Sequence, residues 1–234
     1  MPAVKYLIAS RIIVIIVVIV ILYSVFIISA FFSEPSSVEG WLQLQPVMLD
    51  KIEKKYGSAA RQRFVGWQKL MDTGKIMTEQ DKLEQVNNFF NRNINFVDDS
   101  VLWLKNDYWA TPLEFLAKGA GDCEDFSIAK YFTLLEIGVD ESKLRITYVK
   151  ALDFNLSHMV LTYFESPQAV PLVLDSLKPN IRYATDRNDL LPVYSFNGRS
   201  LWLAKIKGSG QLVGNADQLN QWADLKRRML EKLL

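Results

Sequence analysis

From Ile12 to Phe32 the chain runs 21 residues without a charged side chain, the longest apolar stretch in the sequence. A helix rises 1.5 Å per residue, so a stretch of that length crosses about 30 Å of hydrocarbon. Lys5, Arg11 and the amino terminus precede it, whereas residues 33–50 carry no Lys or Arg and only Glu34, Glu39 and Asp50. The positive-inside rule then places the N-terminus in the cytoplasm and the rest of the chain on the far side of the membrane. A cleaved signal peptide is the competing reading. Its apolar region usually runs about 7–15 residues and ends at a small-x-small site, for which Ile28-Ser29-Ala30 is a poor match. The pattern favours an uncleaved anchor within residues 1–33 and one exported domain over residues 34–234.

Beyond a short Ser/Glu/Pro tether the periods are helical. Pro46 to about Leu70 spaces Met48, Ile52 and Tyr56 among charges. Thr78 to Asn95 places Leu83, Val86, Phe89, Phe90 and Ile94 on one helical stripe behind an N-cap-like Thr78-Glu79-Gln80-Asp81. Val97 to Ala110 is rich in acids and aromatics and shows no period. Thr111-Pro112-Leu113-Glu114 reads as a capping box with Pro at the first helical position. Asp122 reads as the cap of the next helix, which ends at Gly138. From Leu144 the period shortens to that of strands, over Arg145–Leu152, Ser157–Glu165, Pro171–Leu177, Val193–Phe196 and Arg199–Lys207, with Asn197-Gly198 as a hairpin signal. Ala216 to Leu234 closes the chain as an amphipathic helix. Helices followed by strands, with no internal repeat, predict an α+β domain.

Composition adds three constraints. Half of the 234 residues are hydrophobic, enough to bury a core without metal or disulfide staples. A net charge of +1 gives no basic surface for nucleic acid, and Lys226-Arg227-Arg228 reads as a solvated helix face. The chain has one cysteine, Cys123, and one histidine, His158. An unpaired cysteine in an exported domain is either a small buried hydrophobe or a group with a chemical role.

Its setting favours chemistry. Cys123 follows the expected helix cap by one residue, where free N–H groups favour a thiolate and can cradle an oxyanion. His158 lies at the start of a strand and Asp175 on the next, 35 and 17 residues further along in turn. That order suits a nucleophile, its base and the acid that orients the base. Each residue taken alone has a plainer explanation, as a core thiol, a satisfied histidine or a strand end. Asp122, Glu124 and Asp125 oppose a thiolate unless a cation neutralises them. Three carboxylates on one helical turn cannot all converge, so backbone carbonyls or a distant acid would have to complete any metal shell.

Tyr108-Trp109-Ala110-Thr111-Pro112-Leu113-Glu114-Phe115-Leu116, Gly119-Ala120-Gly121-Asp122-Cys123-Glu124-Asp125, Ser157-His158-Met159-Val160-Leu161 and Val173-Leu174-Asp175-Ser176 together resemble the bacterial transglutaminase-like cysteine proteinases over about residues 40–205. The resemblance implies a papain-like, transglutaminase-type fold in which helices pack on an antiparallel sheet. It implies a catalytic Cys123, His158 and Asp175. It also implies dependence on Ca²⁺ held by Asp122 and Glu124, with Asp125 beside them. Periplasmic members of the family cut a large surface adhesin near its N-terminus and so release cells from a biofilm. An inner-membrane receptor for cyclic di-GMP sequesters them, so the adhesin and the receptor are the partners implied. Trp109 reads as an aromatic core residue ahead of a cleft-lining one. Two other activities stay open on the residues alone: acyl transfer by the same triad, and a catalytically silent, membrane-tethered binding module.

Overall fold

Gly57 divides the first helical stretch in two. It sits at φ +86 and ψ 170, a conformation that is essentially confined to glycine. In the computed structural model, which describes residues 46–204 and 210–231, α1 (Pro46–Tyr56) ends before this glycine and α2 (Ser58–Gly74) starts after it. The expected anchor and tether lie outside the described residues. Among the described residues no helix is long and apolar enough to cross a membrane. All of them belong to one unit, which spans Gly40–Leu234.

Local signals set the helix ends. Thr78 accepts the Asp81 N–H and starts α3 (Glu79–Asn93), whose Leu83, Val86 and Phe90 are buried. After the short α4 (Asp99–Leu102), Thr111 and Glu114 form the expected capping box on α5 (Pro112–Lys118), which Gly119 ends at φ +66. The next helix, α6 (Cys123–Glu136), is buried on nearly all sides, with Phe126, Ile128, Ala129, Tyr131, Phe132 and Leu134 spread around it. A helix apolar all round is a central helix, and α6 lies between α3 and the sheet.

Among the described residues the large sheet is antiparallel and seven-stranded. Its strands are β3 (Leu144–Ala151), β4 (Leu156–Tyr163), β5 (Leu172–Leu174), β6 (Arg182–Tyr183), β7 (Leu190–Phe196), β8 (Ser200–Leu203) and β9 (Gln211–Asn215). They run in the order β6-β5-β4-β3-β7-β8-β9. The expected α+β architecture, helices on an antiparallel sheet, is therefore the observed one. Strand β7 begins earlier than its sequence suggests because a register shift opposite Tyr148 and Val149 accommodates Pro192, which has no N–H for the ladder. Met159, Leu161 and Tyr163 of β4 belong to the core under the helices, whereas Val160 joins Val149 and Val173 in a second, smaller cluster.

The closing helix, α7 (Asn220–Leu230), buries Trp222, Leu225 and Met229. Trp222 stacks on Phe132 of α6 at 5.6 Å. Arg228 departs from the expected solvated basic face. It is buried and bonds Glu114 at 2.6 Å, the Tyr108 hydroxyl at 3.0 Å and the Trp109 carbonyl. The last helix thereby braces the capping box of α5 and the segment that leads to it.

Candidate active site

A two-residue parallel bridge delivers the nucleophile. Strand β1 (Asn95–Phe96) pairs with β2 (Ala120–Gly121), immediately before α6. Gly121 has no room for a side chain. A Cβ there would stand 2.6 Å from the Phe115 ring and closer still to the Asp125 carboxylate. Gly121→Ala is therefore expected to lower the melting temperature by several degrees, since overpacking costs about 1–3 kcal/mol. It should also disturb the acids beside Cys123. Thermal denaturation of the two proteins checks this, and an unchanged melting temperature would mean that the bridge is free to shift.

Cys123 is the first residue of α6. The Ser127 hydroxyl lies 2.9 Å from the Cys123 carbonyl and 3.1 Å from that of Met159, which ties the first turn of the helix to β4 beside His158. The Cys123 thiol donates to Glu124 Oε2 at 3.0 Å. Burial pushes its pKa well up, and the charges of Glu124 and Asp122 push it further, against a lowering contribution from the Met159 N–H. The helix start favours a thiolate, as its position suggests, but here burial and the neighbouring acids outweigh it. Asp122 stands at the N-cap position without making a side-chain cap, contrary to the sequence reading. Its side chain points into a group of acids instead.

His158 and Asp175 meet because β4 and β5 are neighbours, with Leu161 opposite Leu174. Asp175 follows the last residue of β5. His158 Nε2 is 2.7 Å from Asp175 Oδ1, and both side chains are buried. That bond leaves Nδ1 as the ring nitrogen available to a thiol. The Leu177 N–H also donates to Oδ1, at 2.9 Å, while Arg187 Nη2 donates to Oδ2 at 2.7 Å. Burial alone would raise the pKa of Asp175. The hydrogen bonds from His158, Leu177 and Arg187, with the charge of His158, overcome this and bring it to about 2. Arg187 is itself held by Asp189 through two 2.9 Å bonds. Nothing in its local sequence marks Arg187, whose role comes only from the fold.

The acids beside Cys123 form two groups that share Asp99. Asp99, Asp122 and Asp125 offer oxygens within 4.8 Å of one another, as do Asp99, Asp107 and Glu124. Asp122 and Glu124 also converge with the Cys123 sulfur. Asp99 and Asp107, on the stretch without a period, escaped the sequence reading. Asp125 Oδ1 accepts the Ala110 N–H at 2.7 Å, and Asp99 Oδ2 accepts that of Tyr108. Three of the remaining oxygens, Asp99 Oδ1, Asp122 Oδ1 and Asp125 Oδ2, are buried with no hydrogen-bond partner among the described residues. Burial first, and mutual repulsion second, raise the pKa of Asp99 to about 6 and push those of Asp122 and Asp125 up as well. Buried carboxylate oxygens without donors suit a hard cation, which takes oxygen ligands alone. The donor set therefore fits Ca²⁺.

Cys123 and His158 open on one cavity of about 500 Å³, whose walls include Trp109, Tyr148, Tyr194 and Glu124. Trp109 is both core and wall: it stacks on Phe196 at 5.6 Å and its indole N–H donates to Asp107 at 2.9 Å. Tyr148 and Tyr194, which line the same cavity, stack at 5.0 Å.

Residues 62–196 match the family model of the bacterial transglutaminase-like cysteine proteinase BTLCP. The EGTA-treated structure of LapG from Legionella pneumophila is 44% identical to the chain, covers 77% of it and 97% of its own length, and superposes with a TM-score of 0.68. The calcium-bound structure of the same protein is 43% identical, with coverages of 80% and 99% and a TM-score of 0.68. No curated protein matches the chain.

Proposed function

The chain belongs to the bacterial transglutaminase-like cysteine proteinases, and on that premise we propose a periplasmic, calcium-dependent cysteine endopeptidase that cuts a large surface adhesin near its N-terminus. The observation that carries this reading is the joint placement of Cys123 and His158 on one cleft, with Asp175 buried against His158, beside three carboxylate oxygens without donors.

His158 Nδ1 takes the thiol proton, and the Cys123 sulfur attacks the scissile carbonyl. N–H groups at the start of α6 face the developing oxyanion. The imidazolium, oriented and stabilised by Asp175, returns the proton to the leaving amine as the C–N bond breaks. A thioester on Cys123 remains. His158 then deprotonates a water that attacks it, and the carboxylate product leaves with the thiol restored. Asp99, Asp122 and Asp125 would hold calcium, with Glu124 and Asp107 next to them, as one LapG structure is calcium-bound. The bound ion would supply positive charge that offsets the acids around the thiol. On this reading residues 12–32 anchor the enzyme in the inner membrane. The cyclic di-GMP receptor that sequesters it, and biofilm release through the adhesin, belong to the same proposal.

The test is cleavage of the N-terminal region of the host's large adhesin by the purified chain. A defined cut is expected with Ca²⁺, lost with a chelator and lost with Cys123→Ala. Incorporation of a fluorescent amine in place of the cut would establish acyl transfer instead. A reactive Cys123 with neither product would sink the adhesin as substrate.

A further inference from the structure

Lys130 is 1% exposed, although lysine is almost never fully buried unless paired. It sits on α6 seven residues after Cys123, two turns along the same face. Its Nζ donates to the main-chain carbonyl of Asp175 at 3.2 Å and lies 5.7 Å from the centre of the Phe126 ring. Among the described residues no carboxylate stands within ion-pair distance of it. The same Asp175 carbonyl takes a second donor, Asn91 Nδ2 of α3, at 2.8 Å, and Asn87 one turn earlier holds the Pro179 carbonyl at 2.6 Å. The turn after β5 is thus clamped from two helices, and among the described residues Lys130 clamps it from the helix that begins with Cys123. Burial lowers the amine's pKa to about 7, against the charge of Asp175. A methionine of similar length would fill the site without that desolvation, so stability gives no reason for a lysine here.

We propose that Lys130 is a positioning residue: by holding the Asp175 carbonyl from the Cys123 helix, it fixes the His158–Asp175 pair relative to the nucleophile. The proposal rests on the reading of Cys123, His158 and Asp175 as the reacting set. Displacements of about 1 Å in such a set cost up to roughly 100-fold in rate, whereas a residue that only fills space affects folding.

The experiment compares Lys130→Met with wild type in the full chain with Ca²⁺. His158 is the only histidine, so labelling with ¹⁵N-histidine reports the imidazole of the His158–Asp175 pair as one site. The variant is expected to lose roughly tenfold or more in kcat with KM nearly unchanged. Its melting temperature should equal or exceed that of wild type, and its imidazole N–H signal should move and exchange faster with water. In an Asp175→Asn background the same substitution should cost less than about twofold, because its effect runs through Asp175. Lys130→Gln, one bond shorter and still polar, should show the same shift of the imidazole signal. An unmoved signal with kcat retained overturns the proposal, as does a full tenfold loss in the Asp175→Asn background. The imidazole signal needs no substrate. A shifted signal without any adhesin cut would therefore count against the substrate reading and support the role of Lys130.

Discussion

Replacing His158 by alanine is expected to lower kcat/KM about 10³–10⁴-fold while moving the melting temperature by only a few degrees. The large kinetic effect follows from the state of the thiol. Burial and Glu124 hold the Cys123 proton on, and the thiol's hydrogen bond goes to Glu124. The nucleophile therefore depends on a partner that can accept its proton and later return it to the leaving amine. Losing one member of such a set costs most of what the whole set supplies. The small stability effect follows from the partners that Asp175 keeps. Arg187 still donates to Oδ2 and the Leu177 N–H to Oδ1, so the acid is not left unpaired. What is lost is close to one net hydrogen bond, about 1 kcal/mol, or about 2–4 °C for a domain of this size. Steady-state kinetics on a peptide spanning the cut, with melting curves on the same preparations, checks both halves. A kinetic loss below tenfold would remove His158 as the base.

The residues that were legible in the sequence are those marked by local chemistry. Cys123 and His158 stood out as single copies, and Thr111 to Glu114 announced a capping box that the fold reproduces. Strands β3 and β4 lie within one residue or two of the runs that predicted them, because central strands buried on both faces keep β-branched and apolar residues along their length. Other contributions came from far along the chain and left no local trace. Asp99 and Asp107 lie where neither a helical nor a strand period holds, and they reach the Cys123 loop only because β1 pairs with β2 and α4 follows directly. Arg187 reaches Asp175 across the turn after β6, among residues that read as an ordinary charged loop. Lys130 sits on a helix whose apolar pattern goes all the way round, so no periodicity separates its position from that of a surface lysine. The short β6 and the largely exposed β9 carry too little apolar signal to be seen at all. Side chains that one turn or one strand can place were readable; those placed by two distant segments were not.

Removing calcium is expected to cost at least about 100-fold in activity at pH 7.5, and its effect on stability should grow with pH. The carboxyls of Asp99, Asp122 and Asp125 all titrate above the ordinary carboxylate range in the folded chain, Asp99 at about 6 against 3.8. A group that binds its proton more tightly when folded stabilises the fold below its unfolded pKa. That contribution is lost as pH rises through the folded value. The metal-free protein should therefore be most stable near pH 4 and lose melting temperature towards pH 6, with Asp122 and Asp125 extending the decline higher. Calcium needs these oxygens deprotonated, so the stabilisation it confers runs the other way and increases over the same range. At calcium concentrations 100-fold above Kd it amounts to about 2.7 kcal/mol, or about 5–10 °C in melting temperature. Asp99→Asn separates the two effects, because it removes one buried anion and one proposed ligand together. Its chelated form should melt above chelated wild type at pH 7.5, and calcium should raise its melting temperature by less. Melting curves from pH 4 to 8, with calcium and with EGTA, test the whole pattern. A chelated protein that gains stability between pH 4 and 7 would show that these acids do not repel one another as their burial requires. An undiminished calcium effect in Asp99→Asn would place the ion on Asp122 and Glu124 without Asp99.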